Sequence, residues 1–253
     1  MCGIFFAVSV RAPRWPTPEH EALLRCRGPD SCHRAEAGIN EFNQSERSAP
    51  MRGVHITFLS TVLSLRGEIT VEQPYKRDEE ASRLCWNGEA WTIDGLSTDG
   101  NDTQAVYDEL LQVTQAKGDD TVRRADKIAR ALSQIAGPYA FVFHDALHDV
   151  VYFGRDFLGR RSLLTCVTEG GDLLISSVTD NASGAGWAEV EADGVYCINL
   201  KQPADQLDPA QPWTRYGDFG VMRVPYHLLG DQACGDVKPV GRDGSSMSAF
   251  AHG

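Results

Sequence analysis

Apolar residues in this chain occur mostly as short runs or in alternation, with a helical stripe at Val106, Leu110 and Val113. Ile4-Phe5-Phe6-Ala7-Val8-Ser9-Val10 is a β-favouring run that predicts a buried strand close to the N-terminus. Pro13, Pro16 and Pro18 then lead irregularly into a short helix over 19–26, opened by Thr17 or Pro18. A Gly28-Pro29 turn breaks it. Residues 37–53 are polar and low in aliphatics, and predict a loop. Residues 55–65 read as one or two strands, and a polar linker containing Gln73-Pro74 follows. Residues 84–93 alternate in strand fashion around Asn87-Gly88. A turn at 99–102 caps a helix over 103–116 with Val106, Leu110 and Val113 on one face, and a second helix spans about 120–134.

A hairpin is predicted next, with arms at 139–143 and 150–154, and His144 and His148 are read as exposed residues of its turn. A charged bend at 155–161 leads to a strand at 162–167. Gly170-Gly171 turns the chain into 172–177, and short strands lie near 188–190 and 195–200. Beyond 201, Pro, Asp and Gln dominate, and 241–253 is Gly- and Ser-rich. The pattern predicts one domain over 1–200 and a tail or linker over 201–253, partly disordered. Strands in consecutive pairs beside two neighbouring helices predict an α+β fold with largely antiparallel sheets.

Composition narrows the possibilities. Over 253 residues the chain is 42% hydrophobic and 23% charged, as in ordinary soluble globular proteins. A net charge of −11 argues against nucleic acid as a partner, because phosphate recognition needs clustered Lys and Arg. No apolar run approaches the ~20 residues of a membrane span. The first apolar stretch lacks the basic flank of a secretory signal and runs into Arg11-Ala12-Pro13-Arg14. The seven cysteines are irregularly spaced and include no C-x-x-C pair, which fits reduced thiols in the cytoplasm better than disulfides or structural zinc. Cys26, Cys32 and His33 match no common zinc spacing, and neither a metal nor a cofactor is expected.

The chain opens Met1-Cys2-Gly3-Ile4. Removal of the methionine would place the Cys2 thiol beside a free α-amine of pKa about 7.7–8.0, so that one residue supplies nucleophile and base. Other elements admit structural readings: Asn87-Gly88 has the form of a hairpin turn, Asp102 of a helix N-cap, and Arg155-Asp156 of an ion pair at a bend.

Several pieces occur in a telling order: Cys2-Gly3-Ile4, Arg27-Gly28-Pro29-Asp30, Leu63-Ser64-Leu65-Arg66-Gly67, Trp86-Asn87-Gly88-Glu89, Asn101-Asp102-Thr103-Gln104, and a long block from Gly137 to Leu164. Together they resemble the glutaminase domain of class II glutamine amidotransferases, which are N-terminal nucleophile hydrolases. The likeness is to asparagine synthetase and, more so, to asparagine-synthetase-domain-containing proteins. The resemblance implies a four-layer αββα sandwich of two antiparallel sheets. It implies that Cys2 attacks the side-chain amide of L-glutamine, releasing ammonia through a γ-glutamyl thioester. Asn87 (side chain) and Gly88 (backbone N–H) would form the oxyanion hole, and Glu89 and Asp102 would hold the substrate α-amino group. The ammonia would go to a synthetase domain or subunit.

There are two departures. The arginine that grips the glutamine carboxylate in asparagine synthetases is replaced here by Val62, and Arg66 is expected to compensate. Nothing resembles the Ser-Gly-Gly-x-Asp-Ser nucleotide loop of the synthetase domain; Gly244-Ser245-Ser246 lacks its Asp-Ser. The rival readings are a scaffold with degraded glutamine binding and an N-terminal-cysteine amidase of different specificity.

Overall fold

The first apolar run forms β1 (Gly3–Ser9), and all of its residues are buried. Its alternation sorts them onto two faces. Ile4, Phe6 and Val8 enter one core, while Phe5 and Ala7 join Leu24 and Leu59 in another. Each large side chain so buried contributes about 1.5–3 kcal/mol.

A computed structural model describes residues 1–39, 53–116, 118–180, 186–204 and 213–227. The first sheet has the order β12 (Ala188–Glu189), β10 (Leu164–Val167), β11 (Leu173–Ser176), β1, β3 (Val54–Val62), β2 (Ser31–Ile39). The second has the order β14 (Trp213–Tyr216), β15 (Phe219–Pro225), β13 (Gly194–Pro203), β9 (Val150–Arg155), β8 (Tyr139–Asp145), β4 (Arg83–Gly88). All named pairings in both sheets are antiparallel. A small ribbon joins β6 (Leu96–Ser97), β5 (Thr92–Ile93) and β7 (Ile135–Ala136) beside them.

Among the described residues, three helices cover the outer faces. On the first sheet lies α1 (Pro18–Arg27), over the Phe5, Ala7 and Leu59 cluster. On the second lie α2 (Asp102–Thr114) and α3 (Thr121–Ser133), whose Val106, Leu110, Ile128 and Leu132 meet Trp86, Phe141 and Tyr152. A third core between the sheets joins Ile4, Phe6 and Phe58 to Cys85, Val142 and Phe153. This is the αββα sandwich expected from the resemblance.

Local chemistry fixes the helix ends. Thr17 caps α1 by accepting from the His20 N–H at 3.1 Å, with Glu19 and Glu21 in the first turn and Arg25 and Arg27 in the last, the favourable sense for the helix dipole. The Thr61 hydroxyl donates to the Leu24 carbonyl at 2.6 Å and ties the end of α1 to β3. Gly3 lies in this junction, where a Cβ would come within 2.3 Å of Thr61 Oγ1. That close approach holds the N-terminal end of β1 against α1.

Several elements differ from expectation. Residues 31–36 carried no strand signal and 37–39 fell in the predicted loop, yet together they form β2; as an edge strand it keeps mostly polar or small residues and shows no apolar run. The boundary at residue 200 falls inside β13, and β15 beyond it buries Phe219, Val221 and Met222, so packed structure continues to 225. The Pro- and Asp-rich stretch before β14 hid that hairpin. The expected disorder at 241–253 lies outside the described residues. Arg155 pairs with Glu189, and Asp156 pairs instead with Arg160, at 2.8 Å.

His144 is the sharpest correction. It is 3% exposed rather than in a free turn, 6.2 Å from the Phe58 ring, and neither ring nitrogen has a hydrogen-bond partner among the described residues. His148, by contrast, is held by Asp145 at 2.7 Å. Burial pushes the His144 pKa down to about 4. The unfolded chain, with an ordinary imidazole near 6.5, therefore binds a proton between those values and the folded chain does not, so stability is lost as pH is lowered through that window. His144→Leu is expected to lose about 2–3 kcal/mol less stability than the parent between pH 7 and 4.5, measured by urea unfolding. Equal losses in both proteins would refute this assignment.

Candidate active site

The side-chain alternation that sorts β1 also places the expected site residues. Cys2 follows the parity of Ile4 and Phe6, and Asn87 that of Cys85, so both belong to the inter-sheet side of their strands. The Ser60 hydroxyl donates to the Cys85 sulfur at 3.0 Å and links the sheets one step deeper. Cys2, Leu63, Arg66, Gly88, Glu89 and Asp102 line one narrow cleft of about 30 Å³. Such a space holds a water molecule or two.

Cys2 is partly buried, and its thiol lies 3.9 Å from the Leu63 carbonyl as a weak donor. Burial raises its pKa, so the thiol is the resting form. The same burial lowers the pKa of the Met1 amine, and the nearby Arg27 and Arg161 guanidiniums push the same way. Arg27 is fixed by donating to Ser162 Oγ at 2.8 Å and to the Ser177 carbonyl at 2.9 Å. Amine and thiol thus share a partly desolvated corner, in which the Arg27 and Arg161 charges act on the amine and the Asp102 and Glu89 carboxylates on the thiol.

Asn87 and Gly88 close β4 opposite Ala140 and Tyr139 of β8, so they are strand residues and not the turn of a hairpin. Asn87 is 1% exposed, and its side-chain Nδ2 has no hydrogen-bond partner among the described residues. An unpaired buried donor is costly, of the order of 1–3 kcal/mol, and such groups concentrate where function needs them. A Cβ on Gly88 would come within 2.7 Å of Tyr139 Cβ and 2.9 Å of the Pro138 carbonyl. Asp156 backs this wall by accepting from the Tyr139 N–H at 3.1 Å, and Arg160 by donating to the Gly137 carbonyl at 2.7 Å.

Asp102 is not the N-cap; Asn101 caps α2 by accepting from the Thr103 N–H at 3.0 Å. The Asp102 carboxylate turns inward and accepts from Trp86 Nε1 at 3.0 Å and the Ala90 N–H at 2.8 Å, which fixes the segment carrying Glu89. Burial raises the Glu89 pKa and the Asp102 carboxylate adds to that shift, against the Arg66 and Arg161 charges. Arg66 donates to the Ala90 and Thr98 carbonyls at 3.0 and 3.2 Å, with Nε 3.8 Å from Glu89. The cleft thus holds the anion and cation that an amino-acid head group requires, turned toward each other.

Gln73 went unnoticed as part of a polar linker. It is buried, accepts from the Trp86 N–H at 2.7 Å, and forms one wall of the cleft. Only its neighbour Pro74 marked the segment, and that signal speaks of a turn. Among the described residues, no three His, Cys, Asp or Glu side chains gather as metal ligands, and no helix is long and apolar enough to cross a membrane.

No protein-family model matches the sequence. The chain is 34% identical over 207 residues to asparagine synthetase domain-containing protein 1 of Bos taurus, covering 79% of this chain. It is 31% identical over 208 residues to the Homo sapiens protein of the same name, again over 79% of this chain. It spans about 29% of the length of each. Among solved structures, the allosteric regulatory enzyme of purine biosynthesis superposes with a TM-score of 0.50 at 15% identity, covering 90% of this chain and 49% of that one. In fold, then, the chain is an αββα sandwich of two antiparallel sheets, a fold it shares with that enzyme. In sequence it belongs with the asparagine synthetase domain-containing proteins.

Proposed function

We propose that this chain hydrolyses the side-chain amide of L-glutamine to glutamate and ammonia, with Cys2 as N-terminal nucleophile once Met1 is removed. The observation that carries the reading is the buried Asn87 Nδ2, which has no partner among the described residues and belongs to the residue next to Gly88; Gly88 lines the cleft with Cys2, and Asn87 itself does not. In the proposed reaction the Cys2 α-amine takes the thiol proton, and sulfur attacks the amide carbon. The oxyanion that forms is held by Asn87 Nδ2 and the Gly88 N–H. The C–N bond breaks, the departing nitrogen takes the proton from the amine, and ammonia leaves. Water then cleaves the γ-glutamyl thioester to glutamate and restores the thiol. No metal or cofactor enters any step.

Glu89 binds the substrate ammonium, with Asp102 adding negative charge and holding Glu89 in place. Arg66 swings from the Ala90 and Thr98 carbonyls to the substrate carboxylate, and the loop carrying Leu63 to Arg66 moves outward to admit the substrate. Ammonia passes to a synthetase domain or subunit, in asparagine biosynthesis, as the names of the relatives suggest. Cytoplasmic residence belongs to the same proposal and rests on the cysteine pattern.

One observation favours the scaffold reading: Val62 stands where an arginine is expected, and Arg66 is occupied by backbone carbonyls. Steady-state glutamate release from purified, Met1-processed protein separates the two readings. Arg66→Ala is expected to raise KM by roughly tenfold or more, the worth of one charge-assisted hydrogen bond, with a smaller effect on kcat. Absence of turnover in the parent protein would support the scaffold.

A further inference from the structure

A second hollow, of about 460 Å³, opens on the far side of the wall formed by Val71 and Gln73, both of which also line the Cys2 cleft. It lies between β2, segment 69–76 and the start of β4, where the edge strands of the two sheets come together. Its volume is within the range of small-molecule sites and well above the needs of a bare ion.

Arg83 makes this hollow unusual. Its guanidinium has no ion pair or hydrogen bond to any described residue, and its Nε is fully buried. Its strand partner His144 is held neutral by burial, and the neighbouring Cys85 thiol is pushed up to about 12, so neither supplies a negative charge. A partly desolvated cation without a partner is costly. Lys76 adds a second charge, and the bond it makes is to the Asp78 backbone carbonyl at 3.3 Å rather than to a carboxylate. The acids of the hollow, Glu72 and Asp78, are exposed at its rim, and Glu72 is engaged by His33 at 3.0 Å. In a chain of net charge −11, two cations without carboxylate partners among the described residues, facing one cavity, run against the overall balance.

We propose that this crevice binds a small organic anion, a molecule bearing a carboxylate or phosphate, whose charge is taken by Arg83 and Lys76 and whose body lies against Tyr75 and Val71. This assignment is independent of the glutaminase reading. Arg83 presents a fork of donors that suits either oxyanion, with Lys76 as a point charge beside it.

The test is calorimetric titration of the full chain with phenyl phosphate, with benzoate, and with benzyl alcohol as the uncharged control. Phenyl phosphate or benzoate is expected to bind saturably near one per chain, the tighter of the two identifying the headgroup, and benzyl alcohol not at all. Arg83→Gln is expected to weaken binding by about tenfold or more while leaving the melting temperature of the free protein unchanged or higher. Lys76→Gln, at a position outside the strands, gives a second loss of binding should Arg83→Gln fold poorly. Lack of saturable binding of either anion, or equal binding by parent and both variants, would overturn the proposal.

Discussion

Replacing Cys2 with alanine is expected to reduce glutamate release by at least roughly 10³-fold while the protein stays folded. The thiol is only partly buried and makes a single weak contact, to the Leu63 carbonyl, so its loss removes chemistry rather than packing. The folded stability should change by less than about 1 kcal/mol, since a sulfur bond of 3.9 Å contributes little. The parent pH profile carries a related signature. Burial raises the Cys2 thiol pKa, so the thiol needs a base, whereas burial with Arg27 and Arg161 lowers that of the terminal amine. If the processed amine inherits this corner, it is neutral and able to accept the proton at a pH below that usual for a chain terminus. Activity should then rise with pH through an apparent pKa below about 7.7–8.0. A limb at or above that range would contradict the shared-corner account, and full turnover by Cys2→Ala would end the nucleophile assignment.

The second large effect belongs to Asn87. Asn87→Ala is expected to lower kcat by roughly 10²–10³-fold, the usual cost of one oxyanion donor, with little change in KM. Its stability effect has an unusual sign for a fully buried residue. Because Nδ2 has no partner among the described residues, truncation removes an unsatisfied donor along with its packing. The desolvation relieved, about 1–3 kcal/mol, offsets the cavity created. Thermal melting should therefore stay level or rise as activity falls. A large destabilisation would mean that Nδ2 is already bonded in the resting protein and that the oxyanion role belongs elsewhere.

What the sequence revealed and what it concealed divide along physical lines. Strong periodicity survived into the structure: β1, α2, α3 and the β8–β9 hairpin form close to where their apolar patterns place them, because each buries a continuous face. β2 escaped notice since an edge strand needs little apolar surface, and β15 because its short run follows a Pro-rich stretch. At the site, residue types were legible and their partners were not. Asn87-Gly88 has the local form of a turn, and only pairing with β8 makes it a strand end with one side chain pointed between the sheets. Asp102 has the local form of a cap, and only the Trp86 indole and the Ala90 N–H, 16 and 12 residues away, draw its carboxylate inward. Arg66 was expected to face a substrate, and its bonds go to Ala90 and Thr98, which flank the β5–β6 ribbon, whose two-residue strands leave almost no sequence signal. His144 lost its solvent through a sheet contact with Phe58 that no local pattern encodes.

The most direct test of the central assignment is mass spectrometry of the N-terminal peptide after brief exposure to glutamine and acid quenching. The account predicts a peptide that begins at Cys2 and carries a γ-glutamyl group on that residue, lost on longer incubation as glutamate accumulates. A peptide beginning at Cys2 that never acquires the group, in protein that releases no glutamate, would contradict it and leave a fold that retains the outline of the site without its chemistry.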